Sequence, residues 1–155
     1  MRTYTVQFNA VAVTAAQDLI ELVGHASRAT KILAFGVSQY TDVGDAAEEL
    51  LSILLKSGQT TSGSGGSSYT PVPLDFANTV AAGFTAEINN TTKAGTGTIV
   101  THYATAWNVR GPLDIILPEP MQIILPAGRR ATLELLGAPA DSLTMNGYMV
   151  VEEIG

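Results

Sequence analysis

Turn-forming residues divide this chain into short segments, and that spacing limits its possible folds more than any other feature. Gly, Pro, Asn and Ser recur about every ten residues, and the stretches between them are rich in Val, Ile, Thr, Leu and aromatic residues. This rhythm is typical of an all-β sandwich. A chain of 155 residues has the size of one domain that buries its own core. We therefore predict a single all-β domain over residues 1–155, built from two packed sheets.

The clearest strand pattern runs from Thr98 to Val109, where side chains alternate between two faces. One face carries Tyr103 and Trp107 and the other carries His102, and we expect both faces to be at least half buried. The remaining predicted strands are Tyr4 to Val13, Asp18 to Val23, Lys31 to Tyr40, Phe84 to Asn89, Leu113 to Leu117, Met121 to Leu125, Ala131 to Leu136 and Leu143 to Glu153.

Residues 45–58 allow two interpretations. A capping residue at Asp45, early carboxylates and a terminal Gly58 favour a helix. Alternation of aliphatic residues favours instead a strand over Glu49 to Lys56.

Residues 57–75 differ in composition from the rest of the chain. The tract from Ser57 to Ser68 is too small and polar to pack a core, and the proline-containing segment from Tyr69 to Asp75 is extended. We expect a long flexible Ser/Gly-rich loop followed by an extended arm. Such a loop is either a mobile excursion or a contact arm that orders on a partner.

Composition excludes several classes of protein. Charged residues are 14% of the chain against a typical value of about 25%, while hydrophobic residues reach 46%, so the chain is not disordered. The net charge of -6 disfavours nucleic-acid binding. The absence of cysteine excludes disulfides, thiolate nucleophiles and cysteine-ligated metals. No segment approaches the roughly 18 apolar residues of a membrane span, and no export signal is visible, so we expect no membrane partner.

Motifs for catalysis are missing as well. The tract at 62–68 fails the dinucleotide fingerprint at its last position and lacks the Lys-Ser/Thr ending of a P-loop, and no Gly-x-Ser-x-Gly elbow occurs. The two histidines, His25 and His102, lie far apart and form no metal-binding pair, so we expect ordinary structural roles. The chain is therefore predicted to have no catalytic, cofactor or metal site and not to be an enzyme.

Two charged groups allow a functional interpretation. The acidic cluster of Asp42, Asp45, Glu48 and Glu49 either holds a hard cation or forms a solvated turn, and its spacing favours the turn. At Arg129 and Arg130, a tight turn after Gly128 is expected to display both guanidinium groups, as a solvated tip or as a contact to an acidic partner.

Aromatic residues are few, but some of them suggest a sugar-stacking platform. The candidates are Trp107, Tyr103, Tyr69, Tyr40 and Phe84, and a place in the core is just as compatible with the sequence.

A resemblance to known proteins covers nearly the whole chain. Its blocks are residues 13–21, 37–46, 61–67, 82–92, 107–110 and 138–153. They resemble a group of small proteins of tailed bacteriophages and bacterial genomes that is similar to jelly-roll head decoration (cement) proteins. The resemblance implies a jelly-roll β-sandwich and favours a strand at Glu49 to Lys56. That segment is more apolar here than in such proteins, through Leu50, Leu54 and Leu55, which keeps a helix possible or implies burial at a subunit contact.

The resemblance also implies a function. We expect a virion structural protein on the capsid exterior, present in the host cytoplasm during assembly, that binds major capsid protein or other virion proteins. Few charges imply neutral surface that a partner covers, and the resemblance suggests a homotrimer. The alternative is a receptor- or glycan-binding module of a phage head or tail fibre that uses exposed Tyr69 or Trp107.

Overall fold

A computed structural model of the chain describes residues 2–40 and 48–155. Within these ranges the regular structure is β-strand, apart from one 3₁₀ turn at Glu119–Met121, so the all-β prediction is confirmed. The strands are β1 (Arg2–Val13), β2 (Gln17–Val23), β3 (Thr30–Gln39), β4 (Leu50–Ser57), β5 (Ser67–Tyr69), β6 (Val72–Pro73), β7 (Thr85–Asn90), β8 (Val100–Asn108), β9 (Leu113–Ile116), β10 (Ile123–Leu125), β11 (Arg130–Leu135) and β12 (Leu143–Glu153).

The strands form two antiparallel sheets that pack as a β-sandwich. The first sheet has the order β10, β3, β12, β1, β6, with β9 also paired to β3. The second has the order β5, β7, β2, β11, β4, β8. In both sheets a strand from near the end of the chain lies between strands from its first 57 residues. Non-local pairing of this kind holds the two ends of the sequence in one core.

Period-two alternation directs one face of each sheet into a shared core. Tyr4, Val6 and Phe8 of β1 are buried, and the ring of Tyr4 meets Phe84 edge-on with a centroid separation of 5.7 Å. Burial of each large apolar side chain contributes about 1.5–3 kcal/mol. The largest fully buried side chains are Trp107, Tyr4, Phe35, Phe84, Leu19, Ile20, Leu22, Ile32, Ile53, Leu55, Leu125 and Leu133.

The ambiguous leucine-rich segment is a strand. β4 lies between β11 and β8, and its Leu51, Ile53 and Leu55 are buried in the core. Leu54, on the opposite face, is also buried, which explains why the segment is more apolar than simple alternation requires. Residues 45–47 of the alternative helix lie outside the described residues.

The expectation that both faces of β8 are half buried is wrong. β8 is an edge strand of the second sheet, and His102, Ala104 and Ala106 are exposed on its outer face. Tyr103 is partly buried on the inner face and Trp107 is fully buried there. Alternation alone does not reveal whether a second layer covers the outer face of a strand.

Candidate functional site

Two connections fold over the outer face of the second sheet as an additional layer, which we call the loop layer. They are residues 58–66, between β4 and β5, and residues 91–99, between β7 and β8. Backbone bridges join them at Thr61 with Gly95 and at Ser64 with Thr92. Downstream, β5 pairs with β7 and β6 pairs with β1. The tract expected to be a flexible loop and arm is thus hydrogen-bonded to the sandwich along much of its length.

Beneath the loop layer lies a buried carboxylate, Glu21 of β2, which is only 1% exposed. It accepts hydrogen bonds from Ser62 Oγ at 2.8 Å, from the backbone N–H of Gly63 at 2.9 Å and from Asn90 Nδ2 at 2.8 Å. The guanidinium of Arg130 forms an ion pair with the same carboxylate. Glu21 therefore ties the Ser/Gly tract to the sheet, because each of its oxygens is shared between strand and loop.

A second carboxylate, Glu134 of β11, binds two lysines. Lys56 Nζ lies 2.6 Å from one oxygen and Lys93 Nζ lies 2.8 Å from the other. Burial opposes ionisation of Glu134, but the hydrogen bonds and charges of the two lysines prevail and lower its pKa. Glu134 consequently stays ionised and connects β11 to β4 and to the loop layer.

A third carboxylate, Asp18 of β2, has fewer hydrogen-bond partners than Glu21 or Glu134. Its Oδ2 accepts the backbone N–H of Ala94 at 2.7 Å, whereas its buried Oδ1 has no hydrogen-bond partner among the described residues. Burial, together with the nearby charges of Glu134 and Glu21, raises the pKa of Asp18 to about 7, although the bond from Ala94 acts in the opposite direction.

These groups form an internal ion network with three acidic and three basic members: Asp18, Glu21, Glu134, Lys56, Lys93 and Arg130. No set of acidic residues and histidines in the part of the chain that the structure describes could hold a metal ion. The network fits a structural role that fastens the loop layer. Sequence reasoning missed it, although a glutamate inside each of two apolar strands, at Glu21 and Glu134, is its visible signal.

The two histidines lie in separate hydrogen-bonded settings. His25 Nδ1 accepts the backbone N–H of Ser27 at 3.0 Å in a turn after β2. His102 Nε2 lies 2.7 Å from Ser57 Oγ on the exposed face of β8. The structure does not bring the two histidines together.

The acidic cluster is described only in part, because Asp42 and Asp45 lie outside the described residues. Glu48 is exposed, and Glu49 Oε1 accepts the backbone N–H of Ala140 at 2.7 Å. Glu49 therefore fixes the loop before β12 to the start of β4.

The expected display of two arginines at one turn is wrong for Arg130. Arg129 is exposed, but the Arg130 side chain is 16% exposed and directed to Glu21. Arg130 is the first residue of β11, so alternation places it over the outer face of the sheet, beneath the loop layer.

The aromatic candidates are mostly in or against the core. Trp107 is 2% exposed and donates from Nε1 to the carbonyl oxygen of Gly111 at 2.6 Å, so the expectation of an exposed Trp107 is wrong. Phe84 is buried, Tyr69 and Tyr103 pack against the core, and Tyr40 is half exposed.

Of the twelve exposed large apolar side chains among the described residues, seven lie at or beside two opposite edges of the first sheet. At the β6 edge they are Val72, Leu74, Phe76 and Val80, and Phe76 is fully exposed; we call this set the arm patch. At the β9 and β10 edge they are Ile116, Met121 and Ile124, and Ile116 is 79% exposed; we call this set the far-edge patch. Such side chains clustered on a surface mark interaction sites.

No protein-family profile, curated protein or solved structure matches the chain. Among the described residues, no helix is long and apolar enough to cross a membrane.

Proposed function

We propose that the protein is a non-enzymatic phage virion structural protein, a decoration (cement) protein that self-associates and stabilises the assembled head from the capsid exterior. The observation that carries the self-association is the pair of apolar patches at opposite edges of one sheet. The phage context comes from the sequence resemblance.

The position of the patches favours a head-to-tail contact between copies. A two-fold dimer uses the same patch on both subunits, whereas two different patches at opposite edges suit a heterologous interface that closes into a ring. That the ring has three subunits is proposed from the sequence resemblance. Phe76 has the features of an anchor residue, because a fully exposed aromatic ring gains the most from burial in a partner.

Strand order supports the finer proposal of a jelly roll. Without the short strands β5 and β6 and the strand β7, the order of neighbouring strands is β1, β12, β3 and then β9 or β10 in one sheet. In the other sheet it is β2, β11, β4, β8. Successive strands β1 to β4 alternate between the sheets, as two interleaved Greek keys require. This architecture exposes two sheet edges for contacts with neighbouring subunits.

Binding to an assembled shell stabilises it by mass action, since the protein would bind the lattice and not the free capsid subunit. The few surface charges suit this role because the buried part of a protein interface is depleted in charge.

Charge introduced into either patch is expected to break the oligomer. For Phe76→Asp and for Ile116→Asp we expect the self-association constant to fall by more than about 30-fold, as for an interface hot spot. Sedimentation velocity over a concentration series measures this. The matched control is Leu136→Asp, which places the same charge at an exposed leucine directly after β11 of the second sheet and should leave association unchanged.

Mixing the two variants distinguishes a ring from a two-fold dimer. A head-to-tail contact leaves one intact interface between the Phe76→Asp subunit and the Ile116→Asp subunit, so an equimolar mixture should form 1:1 heterodimers. A wild-type protein that stays monomeric at high concentration, or a mixture that stays monomeric, would refute the head-to-tail proposal.

The virion role is tested separately. Purified particles of the encoding phage should contain the protein at a fixed copy number relative to major capsid protein, by quantitative mass spectrometry. Shells lacking it should bind the added wild-type protein and resist heating better afterwards. Absence from purified particles, or failure to bind such shells, would refute this role.

A further inference from the structure

A polar groove crosses the outer face of the first sheet, between the two apolar edges. It has a volume of about 390 Å³, within the range of small-molecule sites. Its polar lining side chains are Gln7, Asn9, Ser38, Asp114, Asn146 and Tyr148. They come from β1, β3, β9 and β12, so rigid strands position most of the groove.

Two glycines on neighbouring strands, Gly36 and Gly147, line the groove, and Gly36 makes its floor. A Cβ atom at Gly36 would lie 2.5 Å from Cε1 of Tyr148 and 2.6 Å from Oδ1 of Asp114. Gly147 faces the core instead, where a Cβ atom would collide with the ring of the buried Phe8, so it contributes only backbone to the groove. The missing side chain at Gly36 therefore creates the depression and lets the Tyr148 ring lie across the sheet.

Tyr148 is held in place as one wall of this groove. Its hydroxyl donates to Asp114 Oδ1 at 2.9 Å, across the intervening Gly36. Partial burial and the hydrogen bond to Asp114 raise the pKa of Tyr148 to about 12, so the ring stays neutral. A fixed neutral ring offers an apolar surface without an ordering cost on binding.

Several polar groups around the ring are available to a ligand. Within residues 2–40 and 48–155, no hydrogen bond within the chain engages the side chains of Gln7, Asn9 or Ser38. Asn146 Oδ1 accepts the backbone N–H of Ala10 at 2.9 Å, which orients its Nδ2 group as a donor. Amides and hydroxyls supply both donors and acceptors.

We propose that this groove binds a neutral carbohydrate. Sugar hydroxyls both donate and accept, as the amides and Ser38 do, and the C–H faces of a sugar ring suit contact with Tyr148. Asp114 is the one charged residue in the groove lining, so no cation is present there for a phosphate or a sialic acid. The site is independent of the proposed capsid role. In the proposed ring of subunits it would lie on the outer face of the first sheet and not at the edges that join neighbouring copies.

Isothermal titration calorimetry with neutral hexose and N-acetylhexosamine oligosaccharides tests the proposal, with sialylated oligosaccharides as the charged arm. At least one neutral oligosaccharide should bind with a dissociation constant of about 1 mM or below. Tyr148→Ala should weaken that binding more than about tenfold.

Two further variants remove polar groups without touching the core. Gln7→Ala and Asn9→Ala alter exposed side chains, so the fold is retained, and each should weaken binding at least about threefold. Thr5→Ala, two residues before Gln7 on the same face of β1 and outside the groove, should bind like the wild type. Absence of binding by every neutral oligosaccharide, binding unchanged in all three groove variants, or equal affinity for sialylated oligosaccharides would overturn the proposal.

Discussion

Replacing Glu21 with alanine is expected to destabilise the folded protein by about 3–5 kcal/mol, the usual cost of removing one partner from a buried ion pair. The substitution leaves Arg130 without its carboxylate and leaves the N–H of Gly63 and the amide of Asn90 without this acceptor. Urea unfolding followed by circular dichroism measures the loss as a lower transition midpoint.

Two controls separate the network from a general effect of mutation. Glu21→Gln keeps the shape and one acceptor oxygen but loses the charge. Its free energy of unfolding should therefore lie between those of the wild type and of Glu21→Ala. Glu119→Ala removes an exposed glutamate in the 3₁₀ turn and should change stability by less than about 0.5 kcal/mol. A loss below about 1 kcal/mol for Glu21→Ala would contradict a role in fastening the loop layer.

Stability is expected to fall as pH rises from about 4 to about 7 through the contribution of Asp18. Its pKa is raised from 3.8 to about 7 in the folded protein, so over that interval the folded state retains a proton that the unfolded state has lost. The unfolded state then binds fewer protons, and the free energy of unfolding decreases with pH. Above pH 7 the ionisation of Asp18 lowers the free energy of unfolding by an amount on the order of 4 kcal/mol, relative to its value below pH 4.

Asp18→Asn removes this pH dependence. The asparagine keeps an oxygen for the N–H of Ala94 and carries no charge to desolvate, so the variant should be more stable than wild type at pH 8 and similar at pH 4. Urea unfolding at a series of pH values gives both curves. Asp141→Asn, at an exposed position, should leave the wild-type curve unchanged. A variant less stable than wild type at pH 8 would show that Asp18 is ionised at little cost.

Much of the fold could be predicted from local patterns. The alternation in β12 predicts Leu143 to Glu153 with the observed bounds, and β1, β2 and β3 begin or end within two residues of their predicted limits. β4 was ambiguous because its leucines suit either a helix or a strand, and its place between two strands decided the outcome.

Outer-face burial could not be predicted in the same way. His102 and Ala104 on β8 are exposed, whereas Glu21 on β2 is buried, although alternation treats the outer faces of both strands alike. The difference comes from the loop layer, which covers β2 and not the outer face of β8. The Ser/Gly tract packs on the sheet through hydrogen bonds to groups distant in sequence. No hydrophobic pattern in the sequence therefore indicates this packing.

The sequence by itself determined the all-β class, the places of most strands and the low content of charged residues, because alternation and composition are local properties. Tertiary structure alone decided which charges are buried, since Glu21 and Ser62 meet across 41 residues of sequence. It also brought Gln7, Asp114 and Tyr148 into one groove and placed Phe76 and Ile116 at opposite edges of a sheet. Those arrangements depend on strand order, which is set by the packing of the whole core and not by any single segment.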